Sequence, residues 1–335
     1  MRIGIIGSGF GLYGLLPAFN SVKGCKVVCI CGKKTERLQK YCKSIQLDAI
    51  YSDWRIMFEK EKLDAVAIAV TPKAQYEITK VALKKGLHVF AEKPLASTLS
   101  EAEELFLLTK KNKNITAVDF IFPEIDEWIQ AKKNIEDGHY GKLKHVKVDW
   151  DFLSYDLKHD IDSWKTNVEE GGGVLSFFTS HVLYYVEDYV GEISKISSIF
   201  SYSKKSTRKK IETGIDIIMQ FKNGVTGSIH VCSNVIGRTE HKVEFIFEKS
   251  TMILKSEKGI TDAFTLSVYS ESEDIKSDTC VRKKTVSDED ERVAVVAKIA
   301  KRFVYSVQTK RTMKPSFKEG LRVQKLIDII RNVEI

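Results

Sequence analysis

A glycine-rich turn near the start of the sequence constrains the fold more than any other feature. The apolar run Arg2–Ile6 predicts a strand, and a short turn precedes the next helix-like stretch. The turn consists of Gly7, Ser8, Gly9, Phe10 and Gly11. Gly7 permits a tight bend and Gly9 lets a pyrophosphate approach the backbone, while N–H groups that open a helix bind phosphate. Leu12 occupies the third glycine position of a strict GxGxxG pattern, so the turn predicts a dinucleotide site only together with its context.

That context is an alternation of apolar runs and amphipathic stretches over residues 1–120. The runs predict strands at Arg2–Ile6, Lys26–Cys31, Ala65–Val70, His88–Ala91 and Ile115–Asp119. Helical patterns lie between them, as in residues 77–86 and 99–112, and we expect Ser97 or Ser100 to cap the latter. Strands and helices that alternate in this way predict βαβ units, and hence a Rossmann domain with a doubly wound parallel sheet.

The pattern changes after residue 120. Residues 124–138 predict one helix, and longer strand-like runs follow it. These runs span residues 144–152, 196–202, 214–221, 226–233, 242–248 and 251–257. Helical periodicity returns in residues 289–308 and 316–333. We therefore expect residues 121–335 to form an α+β substrate and oligomerisation domain with a large, mainly antiparallel sheet, whose last helix packs back on the first domain.

Composition limits the class of protein. With 43% hydrophobic and 29% charged residues among 335, the chain resembles soluble globular proteins. No apolar run reaches the ~18 residues of a membrane span, and the sequence opens on a strand rather than a signal peptide. The six cysteines show neither zinc-ligand spacing nor a compact disulfide pattern. We expect a cytoplasmic protein without a metal site or a membrane partner.

The net charge of +8 does not by itself indicate a nucleic-acid partner. Lysines are scattered along the chain, and the one basic cluster is KKSTRKK at residues 204–210. Such a cluster is typical of a solvated loop, with a site for a phosphorylated or nucleotide-linked substrate as the alternative. Because no basic face with stacking aromatics and no known motif accompanies it, we expect a small-molecule substrate and no nucleic acid.

The end of the second predicted strand bears on the choice of cofactor. An NAD site expects an acidic residue here, to accept a hydrogen bond from the ribose 2′-hydroxyl. The sequence instead has Gly32, Lys33 and Lys34, with Arg37 nearby and no carboxylate before Glu36. Cations suit a 2′-phosphate, so the sequence favours NADP(H) over NAD(H), unless these lysines are merely exposed.

A second motif lies at the end of the fourth predicted strand. Val89 and Phe90 are apolar, yet Glu92, Lys93 and Pro94 follow almost at once. Burying an unpaired charge is costly, so this position requires compensation.

With the glycine turn and AEKPLA in one chain, the sequence resembles the Gfo/Idh/MocA family, the relatives of glucose–fructose oxidoreductase and inositol dehydrogenase. Further stretches that resemble the family are VTPKAQYEITKVALKKGLHVF, VDFIFPEIDEWIQAKKNIEDGHYGKLKHVKVDW, DSWKTNVEEGGGVLSFFTSH, MQFKNGVTGSIHVCS and PSFKEGLRVQKLIDII. The resemblance implies that Glu92, Lys93 and Pro94 end a Rossmann strand beside the nicotinamide, with the lysine as the proton carrier. Thr71 and Pro72 would also border the cofactor.

The resemblance also implies a substrate pocket in the second domain. Its expected residues are Phe122, Trp164, Phe177, His181 and Tyr184. Many relatives carry an aspartate where this sequence has Phe177, and frequently another where it has Tyr184. Gln75 and Tyr76 stand where a histidine is common. The two phenylalanines at residues 177–178 therefore suggest a less polar pocket, or one that stacks on a ring.

Two functions remain open on these residues. Lys93 and His181 favour an NAD(P)-dependent oxidoreductase that acts on a sugar, a nucleotide-linked sugar or a cyclic polyol. The missing aspartate favours a non-catalytic relative that binds the dinucleotide for regulation. Each residue also has a structural alternative: Lys93 in an ion pair with Glu92, His181 as a cap or core histidine, and Trp164 as a buried anchor.

The predicted second sheet is apolar on part of both faces. By the two-residue period of a strand, Ile218 lies on the other face from Ile215, Ile217, Met219 and Phe221. Ile246 likewise lies on the other face from Val243, Phe245 and Phe247. The predicted helices are too few to cover both faces. We therefore expect a homodimer or homotetramer built through this sheet.

Overall fold

The chain divides into two compact units. The computed structural model describes residues 1–204, 210–258, 260–261, 263–271, 278–281 and 290–332. The first unit comprises Met1–Ile121 and Ser287–Gln324, and the second comprises Phe122–Val286 and Lys325–Ile335. The middle of the basic cluster, residues 205–209, lies outside the described residues.

The first unit contains a six-stranded parallel sheet. Its strands are β1 (Arg2–Ile6), β2 (Lys26–Cys31), β3 (Ile50–Tyr51), β4 (Ala65–Ile68), β5 (His88–Ala91) and β6 (Thr116–Val118). The order β3-β2-β1-β4-β5-β6 reverses direction between β1 and β4, which is where open α/β sheets bind ligands at the carboxyl ends of their strands. The predicted Rossmann sheet is confirmed, although β4 and β6 are shorter than expected and β3 is too short to give a sequence signal.

The second unit contains an eight-stranded sheet in the order β14-β13-β12-β11-β7-β10-β9-β8. Its strands are β7 (Leu143–Asp151), β8 (Ile193–Lys204), β9 (Lys210–Phe221), β10 (Thr226–Cys232), β11 (Glu240–Phe247), β12 (Thr251–Ser256), β13 (Thr265–Tyr269) and β14 (Asp278–Val281). β7 and β10 pair in parallel, whereas the other neighbours are antiparallel. The prediction of a mainly antiparallel sheet is confirmed.

Ten α-helices complete the described part of the chain. They are α1 (Leu16–Asn20), α2 (Glu36–Ser44), α3 (Trp54–Lys60), α4 (Pro72–Lys84), α5 (Leu99–Asn112), α6 (Asp126–Glu136), α7 (Tyr155–Lys158), α8 (Ser180–Val190), α9 (Val293–Thr309) and α10 (Phe317–Asn332). The cap of α5 is Thr98, not Ser97 or Ser100, because Thr98 and Glu101 form a reciprocal capping box. α4 begins at Pro72, five residues earlier than expected, since proline is favoured at the first helical position.

The C-terminal segment contributes to the core of the first unit. Phe303 of α9 meets Phe19 and Phe90 edge to face, with ring centroids 6.3 and 5.9 Å apart. In α10, a Cβ on Gly320 would lie 3.0 Å from side-chain atoms of both Leu95 and Val118. This segment therefore packs on residues of the first unit that lie far earlier in the sequence.

The two faces of the second sheet differ. α6 packs near β12 and β13, and α8 packs near β7. On the face that these helices leave open, Ile199 and Ile218 are 60% and 66% exposed. None of the described helices is long and apolar enough to cross a membrane.

Candidate active site

The glycine turn combines a tight bend with open space beside its backbone. Gly7 has a φ of +125°, and a Cβ there would lie 2.1 Å from the carbonyl oxygen of Ala69, so only glycine fits. A Cβ on Gly9 would meet nothing within 4 Å, which leaves the space that a close ligand requires. The tight bend expected at Gly7 is present, and Gly9 has the open space that its expected role requires.

Phe10 connects the glycine turn to a distant part of the chain. A Cβ on Gly14 would come within 2.2 Å of the Phe10 ring, so glycine lets this ring lie against the helical turn that follows. The guanidinium of Arg292, at the start of α9, lies 4.2 Å from the centroid of the same ring. Arg292 is a functional candidate that the sequence did not reveal, since nothing near position 292 marks it as a neighbour of position 10.

The end of β2 lies against the glycine turn. A Cβ on Gly32 would be 2.8 Å from the Cβ of Ser8, so the two turns touch. Lys33 and Lys34 follow with exposed side chains, and Arg37 lies over the Tyr13 ring at 5.3 Å. The structure thus brings the expected cofactor residues of the first two strand ends together at one edge of the sheet.

Gln75 holds the backbone of the EKP turn. It follows Thr71 and Pro72 in α4 and is only 1% exposed. Its Nε2 faces the carbonyl oxygens of Glu92, Pro94 and Leu95 at 2.6, 3.0 and 3.2 Å. Its Oε1 accepts a hydrogen bond from the Glu92 N–H at 3.1 Å. This clamp, which the sequence did not reveal, links the Thr71–Pro72 segment to the lysine motif.

Lys93 lies at the carboxyl end of β5, as the resemblance implies. The peptide bond between Lys93 and Pro94 is cis. The Lys93 N–H donates to Glu92 Oε2 at 3.2 Å, and both side chains are partly buried. Burial raises the pKa of Glu92, against the opposing effects of the Lys93 charge and of a hydrogen bond with Asp119. The charges of the motif are therefore compensated locally and lie at a sheet edge rather than inside a sealed core.

His181 lies in the second unit, in the first turn of α8. It is 7% exposed, and its ring meets that of Phe122 edge to face at 5.1 Å. Phe122 is 1% exposed and Tyr184 is 6% exposed, so both expected pocket residues are largely buried. In this region the structure adds His241, whose ring stacks on Trp150 at 4.4 Å with an interplanar angle of 5°.

A row of half-buried aromatic rings continues from this cluster. Trp164 meets Phe177 at 5.3 Å, Phe177 meets Phe178 at 4.6 Å, and Phe178 meets Phe152 at 4.6 Å. Gly172 permits the approach of the Trp164 segment, because a Cβ there would lie 2.0 Å from the Trp164 carbonyl oxygen. Phe177, at the position where many family members carry an aspartate, therefore contacts two rings, and the Lys165 ammonium lies 5.5 Å from its centroid.

Glu212 fixes the turn that carries these two phenylalanines. Its Oε1 accepts the N–H of Leu175 at 2.8 Å, and its Oε2 pairs with Arg331 at 2.9 Å. Arg331 also donates to the hydroxyl of Ser176 at 3.2 Å.

Among the described residues, no group of His, Cys, Asp and Glu side chains is arranged to hold a metal ion.

Two family models match the chain. One describes an oxidoreductase family with an NAD-binding Rossmann fold and covers residues 1–120. The other describes the GFO/IDH/MocA C-terminal domain and covers residues 128–253. The fold and the first of these models thus define an oxidoreductase with an NAD-binding Rossmann fold. The chain belongs to the Gfo/Idh/MocA family, as its motifs predict.

Two curated relatives extend over most of the chain. An uncharacterized oxidoreductase of Synechocystis sp. is 26% identical over 345 residues, which cover 99% of this chain and 93% of that protein. Myo-inositol 2-dehydrogenase of Thermotoga maritima is 23% identical over 275 residues, covering 77% of this chain and 79% of its own length.

Solved structures share the fold at lower identity. Levoglucosan dehydrogenase in complex with NADH and L-sorbose has a TM-score of 0.87 at 20% identity, covering 99% of this chain and 96% of that chain. A 3-ketoreductase from Actinomadura kijaniata in complex with NADP has a TM-score of 0.78 at 15% identity, covering 100% and 97%.

Proposed function

We propose that the protein transfers hydride between a nicotinamide cofactor and a secondary alcohol or ketone carbon of a sugar, a nucleotide-linked sugar or a cyclic polyol. The observation that carries this proposal is the position of Lys93, held by the Gln75 clamp at the same sheet edge as the glycine turn. The names of the relatives, which include an inositol dehydrogenase and a levoglucosan dehydrogenase, support the substrate class.

The first unit has a cradle that fits a dinucleotide. Gly7 and Gly32 sit where any side chain would clash, and Gly9 leaves open space beside the start of the helical turn. When bound, the nicotinamide supplies the C4 carbon that exchanges hydride with the substrate. Gly7, Gly9 and Gly11 would hold the pyrophosphate, with Ser8 and Phe10 beside it, and Thr71, Pro72 and Glu92 would border the nicotinamide.

We assign the substrate hydroxyl proton to Lys93. A neutral amine can take this proton when the alcohol is oxidised and return it when the ketone is reduced. An ordinary lysine, with a pKa of about 10.4, is mostly charged at neutral pH. We infer that partial burial and a cationic cofactor favour the neutral amine that general base catalysis requires, against the charge of Glu92, which favours the ammonium form.

We assign substrate orientation to His181. An aspartate that could polarise its ring is replaced by Phe177, so His181 is the weaker candidate for the proton itself. Trp164, Phe177 and Tyr184 would complete the substrate pocket, and its aromatic character suits the apolar face of a ring.

Substrate screening with the purified protein tests the function. Sugars, nucleotide-linked sugars and cyclic polyols are offered with NADP⁺ or NAD⁺, and the corresponding ketones with the reduced forms, while the absorbance of the reduced nicotinamide is followed. Lys93→Ala should lower turnover by about 10²–10⁴ with little change in cofactor affinity. Lys60→Ala, an exposed lysine of the same unit, is the control. Cofactor binding without turnover on any substrate would favour the regulatory alternative.

We also propose that NADP(H) is preferred over NAD(H). Lys33 and Lys34 are exposed beside the glycine turn, where a 2′-phosphate would extend from the adenosine ribose. The two structural neighbours named above bind NADH and NADP respectively, so relatives of this fold accept either cofactor.

We propose further that the protein forms a homodimer or homotetramer through the open face of the second sheet. Ile199 and Ile218 lie on neighbouring strands there, and both are exposed by more than half. A monomeric mass by light scattering at micromolar concentration would contradict this.

Five free cysteines among the described residues support a cytoplasmic location, which cell fractionation would test.

A further inference from the structure

Two carboxyl groups meet at neighbouring strand ends beside Lys93. Glu92 follows β5 and Asp119 follows β6, and the Asp119 N–H donates to the Ala91 carbonyl at 2.9 Å. Ala91 and Val118 are paired across β5 and β6, so the next residues, Glu92 and Asp119, stand side by side, and each carboxyl group acts on the pKa of the other. Two carboxyl groups in one buried site do not readily ionise together, because their charges repel, so we infer that one of them carries a proton and can donate it in a hydrogen bond to the other.

The environment places that proton on Asp119. Asp119 is 2% exposed, and its Oδ1 has no hydrogen-bond partner among the described residues, which a neutral acid tolerates better than a carboxylate. Glu92 is partly exposed and accepts the Lys93 N–H. Burial, followed by the negative charge of Glu92, raises the pKa of Asp119 well above its usual range.

The other charges near this pair favour the same assignment. Lys93 and Arg292 favour the ionised form of both carboxyl groups, but the Lys93 charge is the largest effect that opposes burial at Glu92 and the smallest at Asp119. Arg292 in turn makes two side-chain hydrogen bonds to Asp290, at 2.8 and 2.7 Å. Tyr13 has a smaller electrostatic effect that raises the pKa of Arg292. Each cation therefore faces a carboxylate when Asp119 is neutral, whereas an ionised Asp119 would add a buried negative charge that repels Glu92.

We propose that Asp119 is a positioning residue for Lys93: as a neutral acid it donates its proton to Glu92 and holds that carboxylate as the fixed counter-charge of the lysine. The catalytic meaning of this arrangement rests on the proposed function, in which Lys93 carries the proton. The arrangement itself sets how readily Lys93 loses its charge.

Chemical labelling of Lys93 measures this property without a substrate. The full-length protein is treated with trace acetic anhydride across a range of pH, and the acetylation of the Lys93 peptide is followed by mass spectrometry. Lys60 in the same sample is the internal reference. The variants are Asp119→Asn, which keeps a neutral hydrogen-bond donor, and Asp119→Ala, which removes it.

The two variants separate the alternatives. Asp119→Asn should leave the labelling midpoint of Lys93 unchanged, because the amide replaces the acid as a donor. Asp119→Ala should lower the midpoint by about one pH unit, because Glu92 loses a hydrogen bond that favours its charge. Equal downward shifts in both variants would mean that Asp119 is ionised, and no shift in either would mean that it does not act on Lys93. Either result overturns the proposal.

Infrared difference spectroscopy gives a second test if Asp119→Ala does not fold. The wild-type protein should show the carbonyl band of a neutral carboxyl group at neutral pH, and Asp119→Asn should lack it. A wild-type spectrum without that band overturns the proposal. Full turnover in Lys93→Ala would remove the proposed function but would leave the labelling result intact.

Discussion

The sheet edge around Lys93 and the region around His181 are built in opposite ways. At Lys93, buried polar groups fix the geometry: Gln75 binds the backbone of the EKP turn, and Asp119 stands beside Glu92. At His181, the imidazole meets the ring of Phe122, which itself belongs to a cluster of aromatic rings. A polar frame fixes charges in place, while an aromatic surface offers shape and contact area. The difference suggests that the first region supplies the chemistry and the second selects the substrate.

The largest expected effect comes from breaking the polar frame at Gln75. Gln75→Ala leaves the carbonyl oxygens of Glu92, Pro94 and Leu95 without this donor, so the free energy of unfolding should fall by roughly 2–4 kcal/mol. The Glu92 N–H keeps its bond to the Ile68 carbonyl oxygen in this variant. Gln75→Glu should lower the free energy of unfolding at least as much, since it sets a carboxylate against three carbonyl oxygens. Urea denaturation measures the loss, with the exposed Gln39→Ala as the control. Wild-type stability in both Gln75 variants would show that the polar frame is dispensable.

The contribution of the aromatic region to stability should depend on pH, because it contains the buried His241. Burial lowers the pKa of His241 to about 3. Between that value and the unfolded value of about 6.5, the unfolded chain binds more protons than the folded one. Stability should therefore fall as the pH drops through this window, by up to about 1.4 kcal/mol per unit from this group.

His241→Gln isolates that contribution. It keeps a neutral side chain that can bond to the Tyr185 hydroxyl, which lies 3.1 Å from His241 Nε2. Denaturation midpoints measured from neutral to acid pH should give a shallower slope for this variant than for the wild type. Identical slopes would mean that His241 does not titrate on unfolding.

A smaller effect is expected at the cofactor's ribose. Lys33→Ala combined with Lys34→Ala should weaken NADPH binding about tenfold or more, because a charged hydrogen bond to phosphate contributes about 1.5–3 kcal/mol. NADH affinity should change little. Fluorescence titration of both cofactors measures the ratio of their dissociation constants. If the double variant leaves this ratio unchanged, either Lys33 and Lys34 do not bind the 2′-phosphate or the protein does not prefer NADPH.

Local patterns were enough to predict the edge of the first sheet. Gly7 and Gly9 follow a strand directly, and Glu92 and Lys93 follow another, so their meeting at one edge follows from parallel strand order alone. Arg292 could not be found this way, because its neighbour Phe10 is distant in sequence and no local signal links them. Gln75 gave no signal either, because a glutamine in an amphipathic helix ordinarily faces solvent.

The aromatic region was predictable only in part. His241 alternates with Val243, Phe245 and Phe247 along β11, and that two-residue period indicates a buried histidine. Its stacking partner Trp150 comes from β7, and the pairing depends on a register that sequence alone does not specify. The row from Trp164 to Phe152 depends on loops, whose courses follow from long-range packing.

The division of labour between the two regions is tested most directly by steady-state kinetics of Lys93→Ala and His181→Ala on the same substrate. Lys93→Ala should lower kcat by about 10²–10⁴ and change KM little, because it removes proton transfer. His181→Ala should raise KM more than it lowers kcat, with the exposed His139→Ala as its control. If His181→Ala abolishes kcat while Lys93→Ala retains it, the chemistry belongs to the second region and this account is wrong.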